Sequence, residues 1–244
     1  MASIALIIPF FNERLRLKTE DLLELSLLGR GLLDIYLVDD GSTDGHHSGL
    51  QEFITMNNMH NIKILRSTLN LGKAEAIRFG TKQIDLRNYE YLGMTDADFS
   101  APPQEIIRLA SLVKEMKYGT VFGVRKNNSH NLIETSLYRR VQGTVFNKMV
   151  TKILGFRLLD SQCGLKYFQI DDNLIESLKQ PFLNPWLFDL EILLRLKDNK
   201  RSGVSEIVLD NWSHVSNSKT SISDIGPVVK SIFLLRRQYG KIAK

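Results

Sequence analysis

The sequence predicts an α/β fold in which a mostly parallel central sheet is flanked by helices. Short apolar runs alternate with helically spaced apolar residues along the first 125 residues, a pattern typical of repeated strand–helix units. The opening run, residues 3–8, is almost continuously apolar, as expected of a central parallel strand covered on both faces. Polar residues follow each run, at the position where open α/β sheets bind ligands. The length of 244 residues fits one domain, with halves at 1–125 and 126–244.

The first half has a regular pattern of strands and helices. Pro9 is expected to end the first strand, and Thr19 is expected to cap the first helix. Pro103 fits the first turn of the fourth helix, where a missing backbone N–H costs nothing. The strands are predicted at 3–8, 32–38, 62–65, 91–94 and 120–124, and the helices at 19–28, 50–56, 74–84 and 105–116.

The second half is less regular. A helical pattern with basic residues covers 132–154, and a polar loop is expected at 211–219. The other predicted elements are strands at 167–170 and 204–209, and helices at 171–178, from 186 to about 197, and at 227–239.

Composition and charge narrow the functional classes. The net charge of +5 and the pI near 9.2 favour anionic partners. Cys163 is the single cysteine, so an internal disulfide is impossible and a reducing compartment is favoured; we expect this thiol to be a small buried residue. No apolar run is long enough to span a bilayer, and the opening run lacks the basic leader of a signal peptide. Neither a glycine-rich dinucleotide fingerprint nor a Walker-type phosphate loop is present, which argues against a dehydrogenase or an ATPase.

Two carboxylates follow the fourth predicted strand. Asp96 and Asp98 stand one residue apart directly after the run 91–94. Hard divalent cations such as Mg²⁺ take oxygen ligands, commonly one or two carboxylates together with phosphate oxygens. The alternative is that this acidic pair only caps the next helix.

Two other polar loops have a structural and a functional interpretation. Asp39 and Asp40 follow the second strand, either in a capped turn or as ligands of a nucleoside. Lys73 stands in the first turn of a helix, where the helix dipole disfavours a cation. An anionic ligand at that terminus offsets the cost.

In the first half, four motifs in order resemble those of the family-2 glycosyltransferases, which have the GT-A fold. These are Pro-Phe-Phe-Asn-Glu at 9–13, Val-Asp-Asp-Gly-Ser-Thr-Asp at 38–44, Asn-Leu-Gly-Lys at 70–73 and Asp-Ala-Asp at 96–98. The resemblance covers nearly the whole chain. It implies a Rossmann-like nucleotide-sugar-binding half at 1–125 and an acceptor-binding half at 126–244.

Three motifs of the second half are similar to those of dolichyl- and polyprenyl-phosphate glucosyl- and mannosyltransferases. Residues 160–166 are Asp-Ser-Gln-Cys-Gly-Leu-Lys, and residues 186–191 are Trp-Leu-Phe-Asp-Leu-Glu. The stretch 211–219 departs from the subgroup pattern at His214, which stands for an acidic residue, and at Asn217, which stands for a glycine.

The resemblance implies a role for each candidate residue. The residues assigned to the nucleoside pocket are Pro9, Phe11, Glu13, Asp39 and Asp40. The alternative for one of the two aspartates is a purely structural role. Lys73 contacts the donor on its nucleoside or diphosphate side.

Asp98 is assigned as the ligand of the metal ion, Mg²⁺ or Mn²⁺. Asp96 is expected to contact either the ribose or, through a water molecule, the ion. Asp189 is the general base if the acceptor is a hydroxyl, and only an orienting group if the acceptor is a lipid phosphate. The candidates for binding phosphates are Arg125, Arg139, Arg140 and Lys219. Arg139 and Arg140 fit a solvated helix face equally well.

The expected function is that of a metal-dependent inverting hexosyltransferase. UDP-glucose is the first expected donor and GDP-mannose the second, and the expected acceptor is a polyprenyl phosphate. The chain is expected to be cytoplasmic and peripheral at a membrane face, to which the basic amphipathic stretches 132–154 and 227–244 are suited. The alternatives are a soluble transferase acting on a saccharide precursor and a non-catalytic nucleotide-sugar-binding subunit. Nucleic-acid binding is not expected, because the basic residues are not interleaved with aromatic residues in the pattern of a known module.

Overall fold

A computed structural model describes residues 2–126, 146–147, 150–151, 155, 157–185, 187–198, 204–213 and 225–239. These residues contain a seven-stranded sheet in the order β3-β2-β1-β4-β6-β5-β7. The pairs β1·β2, β1·β4, β2·β3 and β5·β7 are parallel, whereas β6 runs antiparallel to both of its neighbours. The strands are β1 Ile4–Phe10, β2 Leu33–Asp39, β3 Ile62–Arg66, β4 Tyr91–Met94, β5 Thr120–Val124, β6 Lys166–Gln169 and β7 Ser205–Val208.

Helices cover both faces of the sheet. The apolar residues of α1, α2 and α4 pack in one core, and those of α3, α5, α6 and α7 pack in another. Such two-sided burial explains why β1, β4 and β5 are almost entirely apolar. The helices are α1 Thr19–Leu28, α2 His46–Met56, α3 Lys73–Lys82, α4 Pro103–Met116, α5 Asp172–Lys179, α6 Phe188–Asp198 and α7 Ile225–Tyr239, with a 3₁₀ turn at Leu86–Asn88.

The predicted α/β fold with a mostly parallel sheet is confirmed. The predicted elements that lie in described residues are present; α1, β4 and β5 have the predicted bounds, and the others have shifted ends. The prediction that Pro9 ends the first strand is wrong, since β1 continues to Phe10. The carbonyl of Ile7 accepts from Thr95 N at 3.2 Å, just past the end of β4. Backbone groups two residues apart on a strand point to the same side, so the Pro9 nitrogen faces the side on which β4 has already ended. Because no β4 residue is there to accept a hydrogen bond, the missing N–H of proline costs no ladder hydrogen bond.

The cap of α1 and the start of α2 also differ from prediction. The residue preceding α1 is Lys18, in extended conformation, so Thr19 lies inside the helix and is not its cap. Helix α2 begins at His46, earlier than predicted, after Gly45 in the left-handed conformation. Most of the predicted helix 132–154, and the loop 214–219, lie outside the described residues. Within the described part, no helix combines the length and the apolar character needed to cross a bilayer.

Candidate active site

Loops at the carboxyl ends of β1 and β2 are tied together by hydrogen bonds. Asn12, at φ 51°, occupies the left-handed region that asparagine tolerates better than most residues. Its backbone N–H donates to Ser42 Oγ at 3.0 Å, and its Oδ1 accepts from Thr43 N at 2.9 Å. Arg14 N donates to Asp44 Oδ2 at 3.2 Å. The first two motifs therefore form one double loop at this edge of the sheet.

The two neighbouring aspartates after β2 hold different parts of the backbone. Asp39 is fully buried; its Oδ1 accepts from Ser42 N at 2.8 Å, and its Oδ2 lies 3.0 Å from His47 Nδ1 and 3.3 Å from Arg66 Nε. This carboxylate therefore shapes the turn of its own motif and connects it with α2 and β3.

Asp40 connects the loop after β2 with the start of α3. Its two oxygens accept from Leu71 N and Gly72 N, each at 2.8 Å. Burial, which outweighs these two hydrogen bonds, raises the pKa of Asp40 above its ordinary value. Gly41 stands beside this contact at φ 76°, and a Cβ on it would lie 2.8 Å from the backbone of Leu69. The loop therefore requires glycine at position 41 both for its conformation and for space.

The end of β1 provides a partly exposed apolar surface with a buried carboxylate beside it. Pro9 and Phe11 are partly exposed, whereas Phe10 between them is buried. Glu13 is buried and binds the Arg16 guanidinium through Nε and Nη2, both at 2.5 Å. The hydrogen bond that Arg16 donates to Glu13 raises the pKa of Arg16, and the charges of Asp98 and Asp96 raise it further. Arg16, which no motif of the sequence singles out, thus lies within electrostatic range of the acidic pair.

Asp96 lies between the start of α3 and the motif at 160–166. Lys73 Nζ donates to Asp96 Oδ1 and forms an ion pair with it. Burial raises the pKa of Asp96, but Lys73, with Lys166 and Arg125 more distant, outweighs burial, so that the pKa lies below its ordinary value. A Cβ on Gly164 would overlap Asp96 Oδ2. The motif at 160–166 therefore reaches the carboxylate by having no side chain at position 164.

Asp98 lies in a turn with an unusual backbone. Its Oδ1 accepts from Ser100 Oγ at 2.8 Å and Ser100 N at 3.1 Å. Phe99, between them, is buried at φ 48°, a conformation that is costly for a bulky residue. The carbonyl of Ser100 accepts from Ser213 N at 2.8 Å, which joins the start of the 211–219 motif to this turn.

Arg125, just beyond β5, is held by a carboxylate and an indole. Its Nε and Nη2 donate to Asp160 at 2.6 and 2.8 Å, and its backbone N–H donates to Asp160 Oδ2 at 3.1 Å. The guanidinium carbon lies 5.3 Å from the centre of the Trp212 ring. Burial raises the pKa of Asp160, but Arg125 outweighs it and the pKa lies below its ordinary value.

Asp189 and Lys166 form a buried ion pair. Lys166 Nζ lies 2.7 Å from Asp189 Oδ2, and Asp189 Oδ1 accepts from Leu190 N at 2.8 Å. The charge of Asp189 also acts on Lys73, whose pKa is lowered by burial but raised on balance by Asp96, Asp189 and Asp98. The aspartate of the 186–191 motif thus lies near the same ammonium as the acidic pair.

Glu191, the last residue of the 186–191 motif, has a structural role. It is fully buried and accepts from Leu183 N at 2.8 Å, from Arg195 Nη2 at 2.6 Å and from Tyr239 Oη at 3.1 Å. It therefore connects α6 with α7 and with the segment that precedes α6.

Among the described residues, the predicted site is brought to one edge of the sheet by contacts between motifs. Arg139, Arg140 and Lys219 lie outside the described residues. The sequence predicted no individual role for three residues of the 160–166 motif, Asp160, Gly164 and Lys166. The motif itself was recognisable from its spacing, but the sequence did not indicate which residues these three contact. Cys163 beside them is buried, and burial raises the pKa of its thiol to about 12, as expected of a structural cysteine.

Comparison with protein families gives a match over most of the chain. The model of the family described as Glycosyl transferase family 2 matches residues 5–173. The dolichyl-phosphate beta-glucosyltransferase of Saccharomyces cerevisiae is 28% identical over 259 residues, covering 97% of this chain and 75% of that protein. The undecaprenyl-phosphate 4-deoxy-4-formamido-L-arabinose transferase of Photorhabdus laumondii is 32% identical over 182 residues, covering 72% of this chain and 51% of that protein. The chain therefore spans about half of the latter relative and three quarters of the former.

A solved structure shares the fold at low identity. Glucosyl-3-phosphoglycerate synthase from Mycobacterium tuberculosis, in complex with Mn²⁺ and uridine-diphosphate-glucose, superimposes with a TM-score of 0.69 at 15% identity. The match covers 98% of this chain and 79% of that one. The expected GT-A architecture is thereby confirmed.

Proposed function

The chain belongs to glycosyl transferase family 2, and on that premise we propose that it transfers a hexose, first of all glucose, from a nucleotide sugar to a polyprenyl phosphate. The observation that carries the proposal is the contact of Gly164 with Asp96. Through it, a motif shared with polyprenyl-phosphate transferases lies against the acidic pair expected to serve the donor. Relatives named for dolichyl-phosphate and undecaprenyl-phosphate transfer support the same acceptor class.

The donor is assigned to the double loop and to the start of α3. Pro9 and Phe11 offer apolar surface to a base, and the buried carboxylate of Glu13 beside them offers acceptor oxygens to base N–H and ribose hydroxyl groups. Asp40 contributes through Leu71 and Gly72, whose positions it fixes. Lys73, which pairs with Asp96, is proposed to neutralise diphosphate charge. UDP-glucose is the first donor to test, and GDP-mannose is the second.

The residues fit a divalent metal ion that shares its coordination with the donor. The described residues contain no group of three histidine, cysteine or acidic side chains arranged to hold a metal alone. Asp98 and Asp96 supply two carboxylates, which suits Mg²⁺ or Mn²⁺ when phosphate oxygens complete the shell. When bound, such an ion acts as a Lewis acid on the leaving diphosphate.

Asp189 is assigned the role of orienting the acceptor. The protein already donates to both of its oxygens, through Lys166 and Leu190 N. A phosphate acceptor is ionised near neutral pH and needs no base, whereas a sugar hydroxyl does. The observed pairing therefore favours the phosphate. Arg125, partly exposed beside Trp212, is the described candidate for binding that phosphate.

Helix α7 is proposed to contact a membrane surface. Lys230, Phe233, Leu234 and Arg237 are exposed and recur at the spacing of one helix face. Apolar side chains flanked by basic ones suit a helix lying at an anionic interface. We expect the chain to float with anionic liposomes at low salt and less at high salt. Replacing Phe233 and Leu234 by Ser should weaken flotation, whereas the same change at exposed Met56 on α2 should not; a wild type that never floats contradicts the proposal.

The function is tested by separate donor and acceptor measurements. In a thermal-shift panel with Mn²⁺, UDP-glucose at about 100 times its Kd should add about 2.7 kcal/mol to the free energy of unfolding. Transfer of labelled glucose is then measured to polyprenyl phosphate and to an uncharged saccharide. Transfer to the lipid phosphate is expected. Transfer to the saccharide alone would establish the soluble-transferase alternative, and donor binding without any transfer would establish a non-catalytic subunit.

A further inference from the structure

The proposed reaction leaves the buried ammonium of Lys166 without an assigned role. In the register of β4 and β6, Lys166 pairs with Met94, the last residue before the loop that carries the acidic pair. Its side chain is 4% exposed. Nζ contacts Asp189 Oδ2, donates to the Cys163 carbonyl, and lies 4.8 Å from the centre of the Phe122 ring. The position of this charge is therefore fixed from several sides.

Both members of the Lys166–Asp189 pair act electrostatically on residues of the candidate site. The charge of Lys166 lowers the pKa of Asp96, and the charge of Asp189 raises that of Lys73, which contacts Asp96. The two ion pairs, Lys73–Asp96 and Lys166–Asp189, thus lie within range of each other. A third cation, Arg125, also acts on Asp96, although Arg125 itself forms its ion pair with Asp160.

Stability alone does not account for this buried pair. Removing two charges from water costs much of what their attraction returns, and apolar residues of equal volume are often as stabilising. An unpaired Asp189, however, would repel any acceptor that arrives as an anion, because the interaction is poorly screened in a buried site. Cancelling that charge in place makes the same carboxylate tolerable to a phosphate.

We propose that Lys166 is a positioning residue that holds Asp189 and cancels its charge, so that an anionic acceptor can approach it. This inference rests on the proposed function, because it concerns a phosphate acceptor. It assigns the specificity for charged acceptors to the contact between the motifs at 160–166 and 186–191. A general base for a neutral hydroxyl would gain nothing from a permanently bound ammonium.

The test compares KM for polyprenyl phosphate in variants that change the charges separately and together. Lys166→Gln leaves Asp189 unbalanced and should raise this KM at least tenfold, with donor Kd changed less than about threefold. Asp189→Asn should leave KM unchanged or lower it, and the loss of its orienting role should appear as a lower kcat. The double variant, which removes both charges, should return KM to within about threefold of wild type. Lys179→Gln with Glu176→Gln, at an exposed ion pair on α5, is the matched control and should change nothing.

Each result decides the inference. A double variant no better than Lys166→Gln, or a KM raised tenfold by Asp189→Asn, overturns it. If Lys166→Gln does not fold, the KM of Asp189→Asn still tests the inference. Lys166→Arg is then a second test: it supports the inference if it keeps the wild-type KM and overturns it if it does not. Failure of the proposed function is distinguishable, because the wild type would then transfer only to uncharged saccharides or not at all.

Discussion

Two loop aspartates in the region up to Arg125 and three acidic residues in the region after it are satisfied in different ways. In the first region Asp40 accepts from two backbone N–H groups, and Asp98 accepts from a neighbouring N–H and hydroxyl. In the second region Asp160, Asp189 and Glu191 each pair with a buried or half-buried cation. The first arrangement fixes loops for a ligand, whereas the second joins elements to one another and places charges.

The largest effect is expected from breaking the second arrangement at Glu191. Glu191→Ala should lower the free energy of unfolding by about 3–5 kcal/mol, because it leaves the Arg195 guanidinium buried without its carboxylate. Urea unfolding measures the change. Glu176→Ala, at the exposed pair with Lys179, should cost less than about 1 kcal/mol. Equal losses in the two variants would show that the buried pair at Glu191 stabilises the fold no more than the exposed pair at Glu176 does.

Asp98 tests the first arrangement through activity. Asp98→Asn should keep the fold and lower kcat on the order of 10²-fold or more, since an amide is a poorer ligand for a hard cation. Excess EDTA should lower the activity of the wild type to a similar degree. Near-normal turnover in EDTA would contradict metal dependence, and a collapse of stability in Asp98→Asn would show that the turn at Ser100 depends on the charge.

Asp160 makes the comparison dependent on pH. Its pKa lies below the ordinary value of 3.8 in the folded chain, so the unfolded state binds more protons in acid. The stability that it contributes is complete above that value and is lost as the pH falls through the folded pKa. Asp160→Asn should therefore lower stability at pH 7 by about 1–3 kcal/mol and flatten the loss between pH 5 and pH 2. Urea titrations at each pH measure both, and an unchanged acid slope would contradict the assignment.

Gly164 tests the contact between the regions. In Gly164→Ala the new methyl group must displace the Asp96 carboxylate, and we expect a loss of kcat/KM of about tenfold, or 1.4 kcal/mol, with little loss of stability. Steady-state kinetics and a melting curve separate the two effects. Wild-type kinetics in this variant would mean that the position of Asp96 is not critical.

The smallest effect is expected at Gly49, which is also the control for Gly164. Gly49 is an exposed residue of α2, and a methyl group on it would have no atom within 4 Å. Gly49→Ala should raise the free energy of unfolding by about 0.5–1 kcal/mol, because alanine loses less backbone freedom in a helix. Urea unfolding measures it, and activity should be unchanged; a destabilised variant would contradict the exposure of this helix face.

Features that depend on a local sequence pattern could be predicted, whereas contacts between distant elements could not. Alternating apolar runs located the strands, because two-sided burial leaves a strong pattern. The motifs located Asp96, Asp98 and Lys73, since each loop lies close to its strand. Thr19 was wrong as a cap because α1 begins at Thr19 itself, after the extended residue Lys18, whose side chain makes no capping hydrogen bond. The pairing of Lys166 with Asp189 was not predictable, because it depends on where an antiparallel strand enters the sheet.

The insertion of β6 between β4 and β5 has a consequence for the order of folding. Strands β1 to β4 pair with one another from residues within the first 94, but β5 joins them only through β6, which begins at Lys166. A growing chain can thus complete four strands early, while β5 must wait for more than forty further residues to be synthesised. Until then the edge of β4 stays open to intermolecular pairing. Fragments ending near residue 125 should therefore aggregate, and those ending after β6 should aggregate less.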